Sequence, residues 1–254
     1  MFSSAIVRIP GKSLIDGLTD SKHLGVPDYA NAINQHKSYI EALQFCGLEV
    51  TILEPCEEYP DSTFVEDVAL ITPRCAIITR PGAESRRGEV EKIISVLETQ
   101  FNNLEAIEAP GTIEAGDIMM VGSHYYIGLS DRTNIQGAKQ LINLLEKHGY
   151  TGSTVNLKDV LHLKTGLSYL ENNMLVVCGE FISDPIFSEF EQIEIPQSES
   201  YAANSIWVND NVIMPSGYPV AKDKISGTGY NVIEVDVSEF KKLDGGLSCL
   251  SLRY

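Results

Sequence analysis

Hydrophobic and polar residues follow a recurring order along this chain: two short strands, one helical stretch and one further strand. The first complete unit has strand patterns over residues 68–71 and 76–79, helical spacing over 89–101, and a last strand over 104–107. Short apolar runs bounded by Pro, Gly or Asn favour strands, whereas apolar residues three or four apart favour a helix. The pattern therefore predicts a ββαβ unit.

The same unit recurs towards the C-terminus. Three more units are expected, each in the order strand, strand, helix, strand. The first has residues 117–121, 125–129, 134–148 and 154–157, the next 167–170, 174–178, 185–190 and 193, and the last 203–208, 212–215, 220–226 and 232–235. A strand over 248–252 lacks partners of its own, and the N-terminal pattern supplies a strand at 5–9, a helix at 29–46 and a strand at 49–53. Repeated units with complementary terminal pieces indicate a closed ring. We therefore predict an α/β fold in one domain, residues 1–254, with the first and last strands paired.

One long segment has no helical or strand period over its length. Residues 11–27 are rich in Gly, Ser and Asp. Segments of this length without secondary structure are usually functional or disordered. We interpret this segment as a candidate lid that carries Leu18, and a surface loop without a role is the alternative.

Composition and charge narrow the class of ligand. The chain has 254 residues, of which 43% are hydrophobic and 21% charged, as is typical of a soluble globular protein. Its formal net charge of -16 disfavours nucleic acid as a partner, because phosphate binding needs clustered Lys and Arg. A cationic small molecule suits the sign better. A homodimer is compatible with the sequence.

The cysteines give no sign of a disulfide framework or a metal site. They lie far apart, with no C-x-x-C pair and no His/Cys spacing of the zinc type: Cys46, Cys56, Cys75, Cys178 and Cys249. We expect no metal and no cofactor. Because the N-terminus has no basic segment before an apolar run, and no stretch is long and apolar enough to span a bilayer, we expect no membrane partner and a cytoplasmic location.

Two carboxylates stand together in Phe64-Val-Glu-Asp67, directly before an apolar strand. Acidic groups beside a buried strand cost free energy unless they meet a cation. A guanidinium or ammonium ligand would meet this need, and a salt bridge at a solvated strand start is the alternative interpretation.

Three further clusters hold reactive side chains. Glu114 and Asp117 lie in a Gly-rich turn, His162 stands between two leucines, and Cys249 follows two glycines before an apolar run that we predict to be a strand. A lone histidine or cysteine in such a setting is more often a packing residue. Together, however, they offer a thiol nucleophile, an imidazole acid or base, and a carboxylate that orients the imidazole.

These motifs resemble, in order along the chain, those of the guanidine-modifying enzyme superfamily: Phe64-Val-Glu-Asp67, Glu114-Ala-Gly-Asp117, His162-Leu-Lys-Thr165 and Gly245-Gly-Leu-Ser-Cys249. Further segments resemble the dimethylarginine dimethylaminohydrolase family, especially its bacterial form: Arg80-Pro-Gly-Ala-Glu-Ser-Arg-Arg-Gly88, Tyr201-Ala-Ala-Asn204 and Leu247-Ser-Cys-Leu-Ser-Leu-Arg253. The resemblance covers essentially the whole chain. It implies a five-bladed, pseudo-symmetric α/β propeller closed by the N- and C-terminal strands.

The resemblance also implies a reaction, the hydrolysis of Nω-methylated arginines to citrulline and a methylamine through a covalent thiouronium on Cys249. His162 would act as acid and base, and Glu114 would hold the imidazole. The residues implied in substrate binding are Glu66 and Asp67 for the guanidinium, Arg86 and Arg132 for the carboxylate, and Leu18, Asp61 and Leu243 for the α-amino group.

Two other functions remain open at this point. An arginine or agmatine deiminase, or an amidinotransferase, would use the same thiol chemistry. A non-catalytic binding protein of the same five-fold ring, like the ribosome anti-association factors, would need no nucleophile. The joint presence of Cys249, His162 and Glu114 argues against the latter.

Overall fold

The computed structural model describes all 254 residues and has an α/β fold with five three-stranded sheets. In chain order the strands are β1 Ser4–Arg8, β2 Glu49–Leu53, β3 Ala69–Ile71, β4 Ala76–Ile78, β5 Leu104–Ala106, β6 Ile118–Val121, β7 His124–Leu129, β8 Thr151–Asn156, β9 Leu167–Tyr169, β10 Met174–Val177, β11 Glu191–Glu194, β12 Ile206–Val208, β13 Asn211–Pro215, β14 Asn231–Val235 and β15 Leu252–Arg253. The helices are α1 Tyr29–Phe45, α2 Glu91–Gln100, α3 Ile135–Lys147, α4 Leu163–Gly166, α5 Pro219–Gly227 and α6 Ser238–Lys241. None of them has the length and apolarity that crossing a bilayer requires.

All five sheets share one topology. The central strand of each pairs antiparallel with one neighbour and parallel with the other, in the orders β15-β1-β2, β3-β4-β5, β6-β7-β8, β9-β10-β11 and β12-β13-β14. A parallel pair requires a crossover connection, and here helical segments supply it. The predicted ββαβ order is therefore confirmed in four of the five sheets, whose crossovers contain α1, α2, α3 and α5, whereas only 3-10 turns lie between β10 and β11.

The chain divides into two compact units, which we call the central unit, residues 66–165, and the terminal unit, residues 1–65 and 166–254. In the central unit, α3 begins at an Asn134 cap and buries Ala138, Leu141 and Leu145, a spacing that places them on one helical face. This face packs in the hydrophobic core of the unit with Ile113 and other apolar residues.

The terminal unit contains two hydrophobic cores and both chain ends. Strand β1 pairs antiparallel with β15, with Ala5 opposite Arg253, which confirms the predicted pairing of the first and last strands. Helix α1 begins where the side chain of Asp28 accepts the backbone N–H of Asn31. Tyr39 on its buried face shares one core with Leu247 and Cys249.

Three sequence expectations need correction. Residues 248–252 are not one strand, because Ser248–Leu250 closes as a 3-10 turn in which Leu250 donates to the Leu247 carbonyl. The region 185–190 forms only a 3-10 turn, Pro185–Phe187. The loop 11–27 is not uniformly irregular, since it contains 3-10 turns at Lys12–Asp16 and Lys22–Leu24.

Candidate active site

A buried pair of His162 and Glu114 forms the centre of the polar cluster in the central unit. His162 directly precedes α4, and Glu114 precedes the 3-10 turn Ala115–Asp117. The two side chains meet at 2.9 Å between Nε2 and Oε2. The other oxygen of Glu114 accepts the backbone N–H of Ala83 at 3.0 Å. The carboxylate is thereby held in one orientation, and so is the imidazole.

The pair is an ion pair in which His162 is protonated and Glu114 is ionised. Burial alone lowers the pKa of His162, but the hydrogen bond with Glu114 and the charges of Asp117 and Asp67 raise it to about 9. Burial raises the pKa of Glu114, yet the hydrogen bond with His162 and the charges of His162 and Arg86 together outweigh burial and leave this pKa below its usual value. Near neutral pH the imidazolium therefore donates through Nε2. Its Nδ1 makes no hydrogen bond within the chain.

Asp117 and Gly116 fix the position of the imidazole. The carboxylate of Asp117 is fully buried and accepts the backbone N–H of Leu163 at 2.9 Å and the Ser130 hydroxyl at 2.6 Å. Burial raises the pKa of Asp117. A Cβ at position 116 would lie 2.9 Å from the ring of His162. Only glycine lets the backbone approach the imidazole so closely.

Asp67 joins this cluster through a buried network with Arg86. Its Oδ1 accepts the Gly116 N–H at 3.0 Å, and its Oδ2 accepts Nη1 of Arg86 at 2.6 Å. Arg86 also binds Glu89 in bidentate fashion, at 3.0 and 2.9 Å. Burial raises the pKa of Asp67, but the charges of Arg86 and His162 outweigh it and hold this pKa below its usual value. Asp67, the second carboxylate of the motif Phe64-Val-Glu-Asp67, thus meets a cation of its own chain.

Glu66, the neighbour of Asp67, is paired in the same way. Lys164 donates to its Oε1, and the two side chains are largely buried, at 17% exposure for Lys164 and 6% for Glu66. Arg132 differs from both of these cations. It is half-buried, and its guanidinium makes no hydrogen bond or ion pair within the chain.

Cys249 lies in the terminal unit, within the 3-10 turn Ser248–Leu250, and is 9% exposed. Its sulfur accepts the backbone N–H of Gly246 at 3.4 Å and lies 3.9 Å from the Ser248 hydroxyl oxygen. A sulfur beside a backbone N–H and a hydroxyl is better suited to bear negative charge than one in an apolar pocket.

Three further residues of the sequence prediction come together in the terminal unit. The backbone N–H of Leu18 donates to Oδ1 of Asp61 at 3.0 Å. A Cβ at Gly17 would lie 2.8 Å from the same oxygen and 3.2 Å from a methyl of Leu243. The residues on either side of Leu243 also bind this loop. The Thr19 hydroxyl donates to the Lys242 carbonyl, and the backbone N–H of Asp20 donates to the Asp244 carboxylate. The loop 11–27 is therefore anchored where Asp61 and Leu243 lie.

The cluster in the central unit also has the donor types of a metal site. One ligand atom each from Asp67, Glu114 and His162 lies within 4.8 Å of the others. These groups already bind one another and Arg86, and the imidazole carries a proton in this arrangement. A cation would have to displace that proton and compete with the guanidinium.

Sequence reasoning missed Glu89, Lys164 and Ser248 as parts of the site. Glu89 stands three residues after Arg86, and this spacing within a helical turn was a detectable signal. Lys164 and Ser248 lie inside two of the quoted motifs, but only the fold shows which atoms they contact.

Comparison with known proteins assigns the chain to a family. The family model for N,N dimethylarginine dimethylhydrolase, eukaryotic, matches residues 27–250. The chain is 62% identical over the full length of both proteins to N(G),N(G)-dimethylarginine dimethylaminohydrolase of Pseudomonas aeruginosa. It is 32% identical to the protein of that name from Streptomyces coelicolor, over 98% of this chain and 96% of the other. The chain therefore belongs to the dimethylarginine dimethylaminohydrolase family, as the sequence motifs predicted.

Solved structures agree with this assignment. The Pseudomonas aeruginosa enzyme as a C249S mutant complexed with citrulline matches with a TM-score of 0.99 and 61% identity over all of both chains. The dimethylarginine dimethylaminohydrolase H162G adduct with S-methyl-L-thiocitrulline has the same score, identity and coverage. The N-terminal domain of ArgZ, with a TM-score of 0.89 and 20% identity over 98% of this chain and 97% of the other, shares the fold.

Proposed function

We propose that this protein hydrolyses Nω-methylated arginines, both asymmetric dimethylarginine and monomethylarginine, to citrulline and dimethylamine or methylamine. The observation that carries the proposal is the buried His162–Glu114 ion pair in a chain 62% identical to a dimethylarginine dimethylaminohydrolase. The relative with C249S is complexed with citrulline, the product expected here.

In the proposed mechanism the thiolate of Cys249 attacks the guanidinium carbon and forms a C–S bond. The tetrahedral adduct breaks its bond to the methylated nitrogen, which leaves as the amine with a proton from Nδ1 of His162. A thiouronium then remains on sulfur. The neutral imidazole takes a proton from water, and the resulting hydroxide adds to the carbon. The C–S bond then breaks to release the thiolate, and the hydroxyl proton of the adduct passes to solvent, which leaves citrulline. Glu114 holds the imidazole throughout.

Glu66 and Asp67 bind the substrate guanidinium in this proposal. A carboxylate has about four acceptor positions, so the pairing of these groups with Lys164 and Arg86 does not exhaust their capacity. The charge of Arg86 helps to hold the pKa of the buried Asp67 below its usual value, so this carboxylate is ionised before substrate arrives.

Arg86 and Arg132 bind the α-carboxylate of the substrate. The support is stronger for Arg132, whose guanidinium has no partner within the chain. Arg86 is tied to Glu89 and Asp67, so its role includes holding Asp67. For the α-amino group we propose the carboxylate of Asp61 with the backbone of Leu18 and Leu243, on the strength of their proximity in the terminal unit.

We further propose that the five sheets are blades of one pseudo-symmetric propeller, and that the whole chain, residues 1–254, folds as one domain. The support is the shared topology of the five sheets and the pairing of β1 with β15. A single cooperative unfolding transition, monitored by two probes, would test the single domain.

A cytoplasmic location and a small cationic substrate, with no nucleic-acid or membrane partner, complete the proposal. A net charge of -16 supports the ligand class. A homodimer is the oligomeric state we propose to test first, by sedimentation equilibrium.

Product analysis tests the function. The protein is incubated separately with asymmetric dimethylarginine, monomethylarginine and arginine, and citrulline and the released amine are quantified. We expect citrulline with dimethylamine or methylamine, and little ammonia from arginine. Rapid ammonia release from arginine would instead support a deiminase, and binding without turnover would support a non-catalytic protein.

A further inference from the structure

Two polar side chains of the Tyr201-Ala-Ala-Asn204 motif contact the segment that leads to Cys249. The hydroxyl of Tyr201 donates to the Gly245 carbonyl at 2.7 Å, and Oδ1 of Asn204 accepts the Ser248 backbone N–H at 3.0 Å. The motif ends the 3-10 turn Gln197–Ala203, and residues three apart in such a turn lie one above the other. One face of this turn therefore holds the segment 245–248.

The orientation of the Asn204 amide is determined by its partners. A backbone N–H only donates, so the atom of Asn204 that faces the Ser248 nitrogen is the oxygen. The amide nitrogen then faces the Ser248 hydroxyl oxygen, at 3.0 Å, and donates to it. Both residues are buried. The Ser248 hydroxyl accepts from Asn204, so its own proton is available for another acceptor.

The acceptor beside this proton is the sulfur of Cys249, 3.9 Å from the Ser248 oxygen. The backbone N–H of Gly246 donates to the same sulfur at 3.4 Å. A thiolate accepts hydrogen bonds and donates none, and donors to the charged form favour it. Both donors belong to the segment that Tyr201 and Asn204 hold.

The two glycines make this arrangement sterically feasible. A Cβ at Gly246 would lie 2.5 Å from Oδ1 of Asn204, and one at Gly245 would lie 2.2 Å from the ring of Phe64. Any larger residue would push the segment away from Asn204 and move the Gly246 N–H relative to the sulfur.

We propose that Asn204 and Ser248 are positioning residues that stabilise the thiolate of Cys249 before substrate binds. Asn204 fixes the Ser248 hydroxyl as a hydrogen-bond donor to the sulfur. The inference rests on the proposed role of Cys249 as the nucleophile, and it assigns a task to a motif that the reaction itself leaves without one.

The test is the pH dependence of alkylation at Cys249 by iodoacetamide, with the labelled peptide quantified by mass spectrometry. In Ser248→Ala we expect the midpoint pH to rise by about one unit and the rate at pH 7 to fall about 5- to 10-fold, as loss of one charge-assisted hydrogen bond implies. Ser251→Ala is the matched control. Ser251 is buried two residues beyond Cys249 and binds Tyr39 at 2.7 Å, so its loss leaves the midpoint unchanged.

Asn204→Asp tests the direction of the hydrogen bond. The aspartate carboxylate still accepts the Ser248 backbone N–H, but it also accepts the Ser248 hydroxyl proton, which is then no longer donated to the sulfur. The added negative charge disfavours the thiolate whether or not Ser248 is present. We expect Asn204→Asp to be alkylated about 10-fold more slowly than the parent protein. In the Ser248→Ala background, the same substitution should slow alkylation by no more than about 3-fold relative to Ser248→Ala alone. Asn204→Leu adds no charge and should slow alkylation at least about 3-fold. This variant replaces Ser248→Ala as the test if Ser248→Ala does not fold.

The proposal is overturned if the parent and Ser248→Ala have coincident curves of alkylation rate against pH. It is also overturned if Asn204→Asp slows alkylation equally with and without Ser248, or if Asn204→Leu leaves the alkylation rate unchanged. Citrulline release by the parent protein is measured separately. If it is absent while alkylation depends on Ser248, the hydrolase assignment fails; if it is present while the curves coincide, this inference fails.

Discussion

Replacement of Glu114 by glutamine should lower the pKa of His162 measurably. Pairing and nearby charges raise this pKa from 6.5 to about 9, which corresponds to on the order of 3 kcal/mol in favour of the imidazolium. The hydrogen bond with Glu114 is the largest of the contributions that raise it, and Asp117 and Asp67 supply the rest. Glu114→Gln keeps the size of the side chain and removes its charge, so we expect a decrease of at least about one unit.

The assay is an NMR titration of the protein labelled at the histidine Cε1 carbons. The five histidines give few signals, and His162→Asn identifies the one of interest. His36 is an internal reference, because burial lowers its pKa to about 4 and it does not contact Glu114. If the His162 midpoint is the same in the parent and in Glu114→Gln, the ion-pair account of this cluster is refuted.

The same pair makes stability depend on pH. Because pairing raises the pKa of His162 above its unfolded value of 6.5, the stabilisation is fully present below pH 6.5 and is lost as the pH rises through about 9. The free energy of unfolding, from urea titrations, should therefore fall across this window. In Glu114→Gln the fall should still begin near pH 6.5, but it should be smaller and should end at lower pH, because the folded-state pKa of His162 is lower.

Three further outcomes are expected. Arg132→Leu should raise KM for dimethylarginine about 10- to 100-fold and change kcat less than about threefold, because it removes a ligand of the carboxylate; an unchanged KM would contradict that role. Lys164→Met should destabilise the fold by about 3–5 kcal/mol in urea unfolding, since it leaves Glu66 buried without its cation, and Glu66→Gln in addition should recover most of this loss. Prolonged dialysis against EDTA should leave activity unchanged, and loss restored by a divalent ion would show a metal requirement.

The sequence predicted the repeated unit well because its hydrophobic pattern reports burial directly. Strand β2, Glu49–Leu53, has the expected bounds, and α1 ends one residue before the expected position. The segment after Gly246 was harder, because apolar residues such as Leu250 are buried in a 3-10 turn just as they would be in a strand. Local pattern does not distinguish the two, and the backbone bonds from Cys249 to Gly246 and from Leu250 to Leu247 decide.

In the site, motifs identified the reactive groups but not their partners. The adjacent carboxylates of Glu66 and Asp67 indicated a cationic partner, and the structure provides Lys164, 98 residues from Glu66, and Arg86, 19 residues from Asp67. Such pairs depend on how the polypeptide returns to the same place, which spacing in the sequence does not encode. The raised pKa of His162 likewise could not be predicted from local sequence, because it depends on three carboxylates that folding brings close to the imidazole.

The most direct test of the central claim is acid-quench mass spectrometry during turnover of asymmetric dimethylarginine. The account predicts a peptide in which Cys249 carries the substrate without its dimethylamine, and the loss of both this adduct and citrulline formation in Cys249→Ser. Citrulline formed by Cys249→Ser, or turnover by the parent protein with the adduct on another residue, would contradict it.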